Sequence, residues 1–107
     1  INYNHTSYAY KVYNKISISI RCKKEDESIF PSGDHVLATL PAGYRPTSIL
    51  SNSSRYLLAF LLSGDGSTSI FGTCLAYVRP SGEIVVSIPQ GVSNASRILI
   101  PEQSFEI

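Results

Sequence analysis

Residues 34–46 read D-H-V-L-A-T-L-P-A-G-Y-R-P and combine a strand-like run with a turn rich in proline and glycine. Its apolar run, 36–40, has the length and β-prone composition of a strand. Pro41 ends that strand because proline has no N–H to donate to a ladder, and the Ala-Gly that follows suits a type II turn. Pro46 keeps Arg45 extended. The stretch therefore predicts a strand followed by a stiff corner that carries an aromatic ring and a guanidinium.

Strict alternation is clearest in residues 15–22, K-I-S-I-S-I-R-C, where isoleucines face one side and polar residues the other. This pattern is typical of a half-buried antiparallel strand. Further runs of β-type residues, separated by glycine and proline turns, predict strands at 8–13, 55–62, 67–78, 83–88, 97–100 and 104–107. Pro101 is predicted to break the penultimate strand. The run 8–13 is typical of an edge strand, and 47–50 begins a further extended piece. Tyr77-Val78 is expected to pair with Ile84-Val85, and Gly72 to mark a bulge or a close backbone approach. Because no segment shows sustained helical periodicity, the sequence predicts an all-β antiparallel barrel or sandwich.

Composition restricts the function. The 107 residues suffice for one domain, and we assign 1–107 to it. A net charge of +1 gives no electrostatic footprint for nucleic acid or an anionic membrane. No run approaches the ~20 apolar residues of a membrane helix. The sequence begins with Ile1 and lacks a signal pattern, which indicates either that a signal has been removed or that the chain is a C-terminal fragment of a longer protein, and we favour the fragment.

Two cysteines, Cys22 and Cys74, lie in strand-like runs. They permit one disulfide that closes a long loop, or two buried free thiols. We favour the thiols, because a disulfide scaffold would carry more cysteines. Two cysteines and two histidines at unrelated spacings predict no metal site and no cofactor.

The sequence does not predict an enzyme. Ser32, Asp34 and His35 are neighbours along the chain, whereas a catalytic triad needs side chains that converge from separate loops. There is no nucleophile elbow and no phosphate-binding glycine loop. The carboxylates lie in turns or at strand ends, where solvation explains them better than glycoside hydrolysis does.

Five residues form a candidate binding set: Asp34, His35, Tyr44, Arg55 and Tyr56. A sugar offers apolar C–H faces to an aromatic ring and hydroxyl edges to carboxylate, imidazole or guanidinium groups. Each residue also has a structural explanation, in which the tyrosines cover core edges, the histidine caps a strand and the arginines pair with carboxylates. We weigh a polyol-binding patch evenly against that explanation for the set as a whole.

The run 55–62 has leucines on both strand faces, including Leu57, Leu58, Leu61 and Leu62. One face can form the core. The other needs cover from a neighbour, which predicts a homo-oligomer.

The run L-A-T-L-P-A-G-Y-R-P at 37–46, followed by S-G-E-I at 81–84 and the S-F-E-I end, resembles the C-terminal head domains of receptor-binding proteins of lactococcal tailed phages. The likeness covers about 34–107, and its most specific part, L-P-x-G-Y-R-P, also occurs in other phage tail proteins. The resemblance implies a compact Greek-key β-barrel, a homotrimer in the virion tail tip or baseplate, and adsorption to a host cell-wall saccharide near subunit boundaries.

The resemblance also implies roles and partners. Asp34 and His35 would bind hydroxyls, Tyr44 or Tyr56 would stack on the sugar, and Arg55 would donate to a hydroxyl or phosphate. Because the chain has no Trp, a tyrosine must supply the stacking face. The missing N-terminal region would contact other baseplate proteins. The chain is expected to be made in the host cytoplasm.

Two other functions stay open at this point. One is a purely structural trimer, a baseplate or fibre-tip module whose apolar surplus serves assembly. The other is a secreted eukaryotic glycoprotein domain, since Asn4, Asn52 and Asn94 match the N-glycosylation pattern. In a chain this rich in Ser and Thr such matches arise by chance.

Overall fold

The computed structural model describes residues 3–24, 29–46, 55–62, 70–91 and 95–106. These residues form strands joined by turns and loops and contain no helix. The side chains of residues 3–5, 70 and 71 are not described. The seven strands are β1 Tyr3–Val12, β2 Lys15–Lys24, β3 Gly33–Thr39, β4 Arg55–Leu62, β5 Ile70–Val78, β6 Glu83–Ile88 and β7 Arg97–Glu106.

All seven strands belong to one sheet, in the order β1-β2-β7-β4-β5-β6-β3. Every neighbouring pair is antiparallel. The sheet curls into a half-barrel, so the predicted all-β, antiparallel class is confirmed. β1 is an edge strand, as its sequence predicted. The predicted partnership of Tyr77-Val78 with Ile84-Val85 is also confirmed, with Tyr77 opposite Val85 and Val78 opposite Ile84.

The core lies on the concave side of the sheet, and it follows from the alternation in each strand. Ile16, Ile18 and Ile20 of β2 are at most 2% exposed, as the period of two requires. Phe30, in the segment before β3, is fully buried, and its N–H donates to the carbonyl of Ala95 (2.7 Å). Five strands and this segment supply the largest fully buried side chains of the core: Phe30, Ile16, Ile18, Leu61, Ile98, Ile100, Val78, Val86 and Cys22.

The corner after β3 forms as the sequence indicates. The N–H of Tyr44 donates to the carbonyl of Pro41 (3.1 Å), and Gly43 has φ +92°. These are the marks of a type II turn with glycine at its third position. The corner is tied to the β5–β6 turn, because the N–H of Leu40 donates to the carbonyl of Gly82 (2.8 Å). Within the corner, Nε of Arg45 donates to the carbonyl of Leu40 (3.0 Å), the residue whose N–H contacts Gly82.

Three irregularities lie in the described part of the sheet, and one of them is a register shift of β3 against β6 between Val36 and Ala38. The predicted break at Pro101 is wrong, because β7 continues through it to Glu106. The register against β2 shifts there, from Ile18↔Gln103 to Ile20↔Ile100, so the proline is accommodated in a bulge. The third shift, between Leu61 and Leu62 of β4, lies opposite Gly72, where a bulge or close approach was predicted.

Cys22 and Cys74 are separate buried thiols, 2% and 9% exposed. Burial raises the pKa of each to about 11. The predicted extended piece at 47–50 lies outside the described residues. None of the described segments is a helix long and apolar enough to cross a membrane.

Candidate functional site on the outer sheet face

The registers of four strands bring two rows of side chains to the convex face of the sheet. Residues directly opposite each other on neighbouring strands point to the same face. One row crosses β4, β5, β6 and β3 as Tyr56, Tyr77, Val85 and Val36. The next row runs Leu58, Leu75, Ser87 and Asp34. We call this surface the outer face.

Tyr77 is the centre of a polar cluster on the outer face. Its hydroxyl donates to Oδ2 of Asp34 (3.4 Å) and accepts from Nη2 of Arg79 (3.3 Å). The guanidinium carbon of Arg79 also lies 5.5 Å from the centroid of the Tyr77 ring. Tyr56 packs on the other side, with ring centroids 6.2 Å apart and an interplanar angle of 58°. We call Asp34, Tyr56, Tyr77 and Arg79 the tyrosine cluster.

A second carboxylate fixes the guanidinium of the tyrosine cluster. Nη1 of Arg79 lies 3.2 Å from Oε1 of Glu83, and the Ser81 hydroxyl donates to the same oxygen (3.1 Å). Hydrogen bonds with Tyr77 and with Glu83 raise the pKa of Arg79, which therefore stays charged. A guanidinium held this way keeps further N–H donors for a ligand, since it has five.

Apolar side chains adjoin the tyrosine cluster and are exposed. Tyr56 is 68% exposed, and the cross-strand partners Leu58 and Leu75 are 47% and 48% exposed. Val36, at the far end of the first row, is 39% exposed, whereas Val85, between Tyr77 and Val36, is buried. The outer face thus combines an exposed aromatic ring, a carboxylate and a guanidinium with an apolar surface of aliphatic side chains.

The structure brings together two of the five predicted site residues, Asp34 and Tyr56. His35 lies on the core side, opposite Val86. Its ring packs edge-on against Phe30 (centroids 5.5 Å apart), and its Nε2 is 2.7 Å from the carbonyl oxygen of Pro31. This geometry is that of a residue that closes one end of the core.

Arg55 and Tyr44 also lie away from the outer face. Arg55 is opposite Val78, in a core-side row, and its Nε donates to the carbonyl of Glu106 (3.0 Å). Tyr44 is half-buried and packs against the core. The five residues therefore do not form one contiguous site.

Tyr77 and Arg79, which complete the cluster, are not among the site residues predicted from the sequence. A signal was available, because the alternation of β5 puts Tyr77 and Leu75 on one face and Cys74, Ala76 and Val78 on the other. The pairing of Tyr56 with Tyr77 could not be predicted from the sequence, because it depends on the register between β4 and β5.

The chemistry of the outer face is that of binding. Its groups can stack on an apolar ligand surface, accept from hydroxyls and donate to oxygen atoms. No group of three or more His, Cys, Asp or Glu side chains is placed to hold a metal ion among the described residues.

The sequence matches no protein-family model, and no curated protein or solved structure is significantly similar to it.

Proposed function

We propose that this chain is a non-catalytic saccharide-binding domain, the head of a phage receptor-binding protein that adsorbs to a host cell-wall polysaccharide. The tyrosine cluster carries the proposal. Tyr56 offers a ring face to the C–H side of a sugar, while Asp34 accepts from its hydroxyls and Arg79 donates to a hydroxyl or phosphate oxygen. A phosphate-bearing polysaccharide suits the guanidinium especially well.

The strand order supports the fold that this proposal implies. β4, β5 and β6 follow one another in the chain and in space, and β7 returns to lie beside β4. The spatial order β7-β4-β5-β6 is the one that a Greek key has. We therefore propose that the half-barrel is a Greek-key barrel, as the phage-head resemblance implies.

Assembly into a homotrimer is part of the same proposal. Leu58 and Leu75 lie directly opposite each other on β4 and β5, and each side chain is about half-exposed. Exposed apolar surface of this kind is typical of interaction sites. We propose that the leucine pair lies at the subunit boundary and that the tyrosine cluster lies at the rim of that boundary, in the virion tail tip.

Binding to an array of Gram-positive cell-wall saccharides, including glycerol-phosphate polymers, tests the proposal. We expect at least one saccharide to bind the parent chain, and Tyr56→Ala or Asp34→Ala to weaken binding about tenfold, which corresponds to ~1.4 kcal/mol. Tyr10→Ala is the matched control, since Tyr10 is an exposed tyrosine on β1. Tyr44→Ala removes a predicted site residue that lies outside the tyrosine cluster, so we expect it to bind the saccharide as the parent chain does. No binding on the array, or equal binding by the parent and both cluster variants, would contradict the proposal.

A purely structural trimer is the second candidate, and the leucine pair favours it. Both candidates predict a trimer in sedimentation. Only the saccharide titration separates them, because a structural module would sediment as a trimer and bind none of the array.

A further inference from the structure

Three kinds of chemical group follow one another across the outer face, in an order that the sheet fixes. The Tyr56 ring is on β4, the Arg79 guanidinium directly follows β5, and the Asp34 carboxylate is on β3, beyond β6. Tyr77 of β5 links them, since its ring packs against Tyr56 and its hydroxyl contacts both Arg79 and Asp34. A ligand that lies across these strands therefore meets an aromatic ring, then a cation, then an anion.

Tyr77 holds this order because its side chain crosses β6. Its hydroxyl reaches Asp34 on the strand beyond. Val85 of β6 lies directly opposite Tyr77 and is fully buried, although it belongs to the outer face. A tyrosine ring that lies across Val85 accounts for that burial. The guanidinium of Arg79 and the carboxylate of Asp34 share one hydroxyl, so a short ligand can contact both.

The charges around Tyr77 do not cancel. Arg79 is the only cation of the tyrosine cluster, and two carboxylates adjoin it. Glu83 forms an ion pair with Arg79 (3.2 Å), and Asp34 lies on the other side of the Tyr77 hydroxyl (3.4 Å). In the described part of the chain no cation forms an ion pair with Asp34, whose side chain is exposed. This surface consequently has one negative charge in excess, and a bound cation would balance it.

The two arginines of the neighbouring segments do not supply that cation. Nε of Arg45 donates to the carbonyl of Leu40, in the corner after β3 (3.0 Å). Arg55 lies in a core-side row, and its Nε donates to the carbonyl of Glu106 (3.0 Å). Among the described residues, neither guanidinium forms an ion pair with Asp34. The balancing charge is therefore left to the ligand.

We propose that the outer face binds a zwitterionic saccharide, in which a phosphate joins the sugar ring to a short substituent that ends in an ammonium group. The inference rests on the saccharide-binding function proposed above and names the chemical class of its ligand. The sugar ring stacks on Tyr56, a phosphate oxygen accepts from Arg79, and the ammonium group donates to Asp34. This order along the ligand, ring then anion then cation, is the complement of the order across the sheet.

Recognition requires both charges of the ligand. A phosphate alone reaches Arg79, but Glu83 already pairs with that guanidinium, and the carboxylate of Asp34 repels the phosphate. An ammonium group alone is attracted to Asp34 and repelled by Arg79. A neutral sugar gains the contact with Tyr56 and neither ionic contact. The arrangement therefore selects against each partial ligand as well as for the whole one.

Titration of the whole chain with four glucosides tests the inference. One carries a phosphoethanolamine group, one a methyl phosphate, one an aminoethyl group and one no substituent. We expect the phosphoethanolamine glucoside to bind about fivefold more tightly than any of the other three, which is the difference that a partly exposed ion pair supplies. The preference should shrink as the salt concentration rises.

Two variants should each remove one part of the preference. Asp34→Asn removes the carboxylate that pairs with the ammonium group, so it should bind the phosphoethanolamine and methyl phosphate glucosides equally. Arg79→Gln removes the guanidinium, so it should bind the phosphoethanolamine glucoside no better than the aminoethyl one. Glu102→Gln is the matched control and should keep the parent preference, because Glu102 is an exposed carboxylate of β7 whose partner is Tyr8. Thermal unfolding of each variant detects misfolding, and where one variant has unfolded the other decides.

Equal affinity of the parent chain for the phosphoethanolamine and methyl phosphate glucosides would overturn the inference, and weaker binding of both by Tyr56→Ala would show that the saccharide-binding function stands. An unchanged preference in Asp34→Asn would overturn it too, because the ammonium group would then be bound elsewhere. If the parent chain binds none of the four glucosides, the inference is overturned, and the saccharide array decides separately whether the proposed function falls with it. Binding to vesicles that contain phosphatidylethanolamine, without binding to the phosphoethanolamine glucoside, would assign the same charged groups to a lipid and also overturn it.

Discussion

The side-chain amide of Gln103 takes the place of a neighbouring strand for Leu58. Its Oε1 accepts from the backbone N–H of Leu58 and its Nε2 donates to the backbone carbonyl of the same residue, both at 2.8 Å. β4 pairs directly with β7 only from Phe60 to Leu62. Gln103 thus extends the β4–β7 contact past the point where the backbones diverge, on the strand that carries Tyr56.

Gln103→Ala should destabilise the domain by about 1–2 kcal/mol. Two backbone groups of Leu58 lose their partners, and each hydrogen bond contributes about 0.5–1.5 kcal/mol, less where water replaces it. Chemical denaturation measures the change. Gln90→Ala is the control, because Gln90 lies exposed in a turn and should shift the free energy of unfolding by less than ~0.5 kcal/mol. Equal effects of the two variants would show that the amide of Gln103 does not support β4.

The turn between β5 and β6 should not tolerate a side chain at Gly82. Gly82 has φ +90°, and a Cβ there would lie 2.7 Å from both the carbonyl oxygen of Leu40 and Nε of Arg45. Gly82→Ala must therefore strain the turn and also separate it from the corner after β3. Gly91→Ala isolates the first effect, since Gly91 has φ +88° with no atom within 4 Å of its Cβ position.

We expect Gly91→Ala to cost about 1 kcal/mol, the usual penalty of positive φ for an L-residue, and Gly82→Ala to cost clearly more. Denaturant midpoints measured on both variants give the comparison. If the two glycines proved equally tolerant of alanine, the contact between the two turns would contribute nothing to stability.

The sequence predicted the strands well because most of them alternate, and alternation follows directly from strand geometry. The same alternation explains why the predicted site residues do not lie together, since neighbours in a strand point to opposite faces. Asp34 and His35 are adjacent in β3, so they must point to opposite faces, and Leu37 already indicated that His35 belongs to the core side. Tyr77 joined the site only through its register with Tyr56, which depends on a connection whose length the composition does not determine. The continuation of β7 through Pro101 was not predicted from the sequence. It is possible because the position lies in a bulge, where the sheet needs no N–H donor.

The leucine pair on the outer face should control self-association. Leu75→Lys places a charge in the proposed subunit boundary, and burying an unpaired charge is unfavourable. We expect sedimentation to show a monomer at concentrations where the parent chain is a trimer. Thr6→Lys adds the same charge at an exposed position of β1 and should leave the assembly intact. A trimer in both variants would place the boundary on another surface.

The two buried thiols should make the domain sensitive to alkali. Burial raises the pKa of Cys22 and of Cys74 from 9.0 to about 11. Below pH 9 the thiols are neutral in the folded and the unfolded chain, and this contribution to stability is fully present. Between pH 9 and about 11 the unfolded chain releases both protons while the folded chain keeps them, so the free energy of unfolding falls as pH rises.

Denaturation midpoints of the parent chain and of Cys22→Ala, Cys74→Ala should therefore diverge in slope across that window, with the parent losing more stability per pH unit. Iodoacetamide at pH 8 supplies an independent readout. We expect it to label neither cysteine in the native chain and both in denaturant, because the thiolate is the reactive form and burial disfavours it. Rapid labelling of the native protein, together with parallel pH profiles for parent and variant, would show that the thiols are not held in the core.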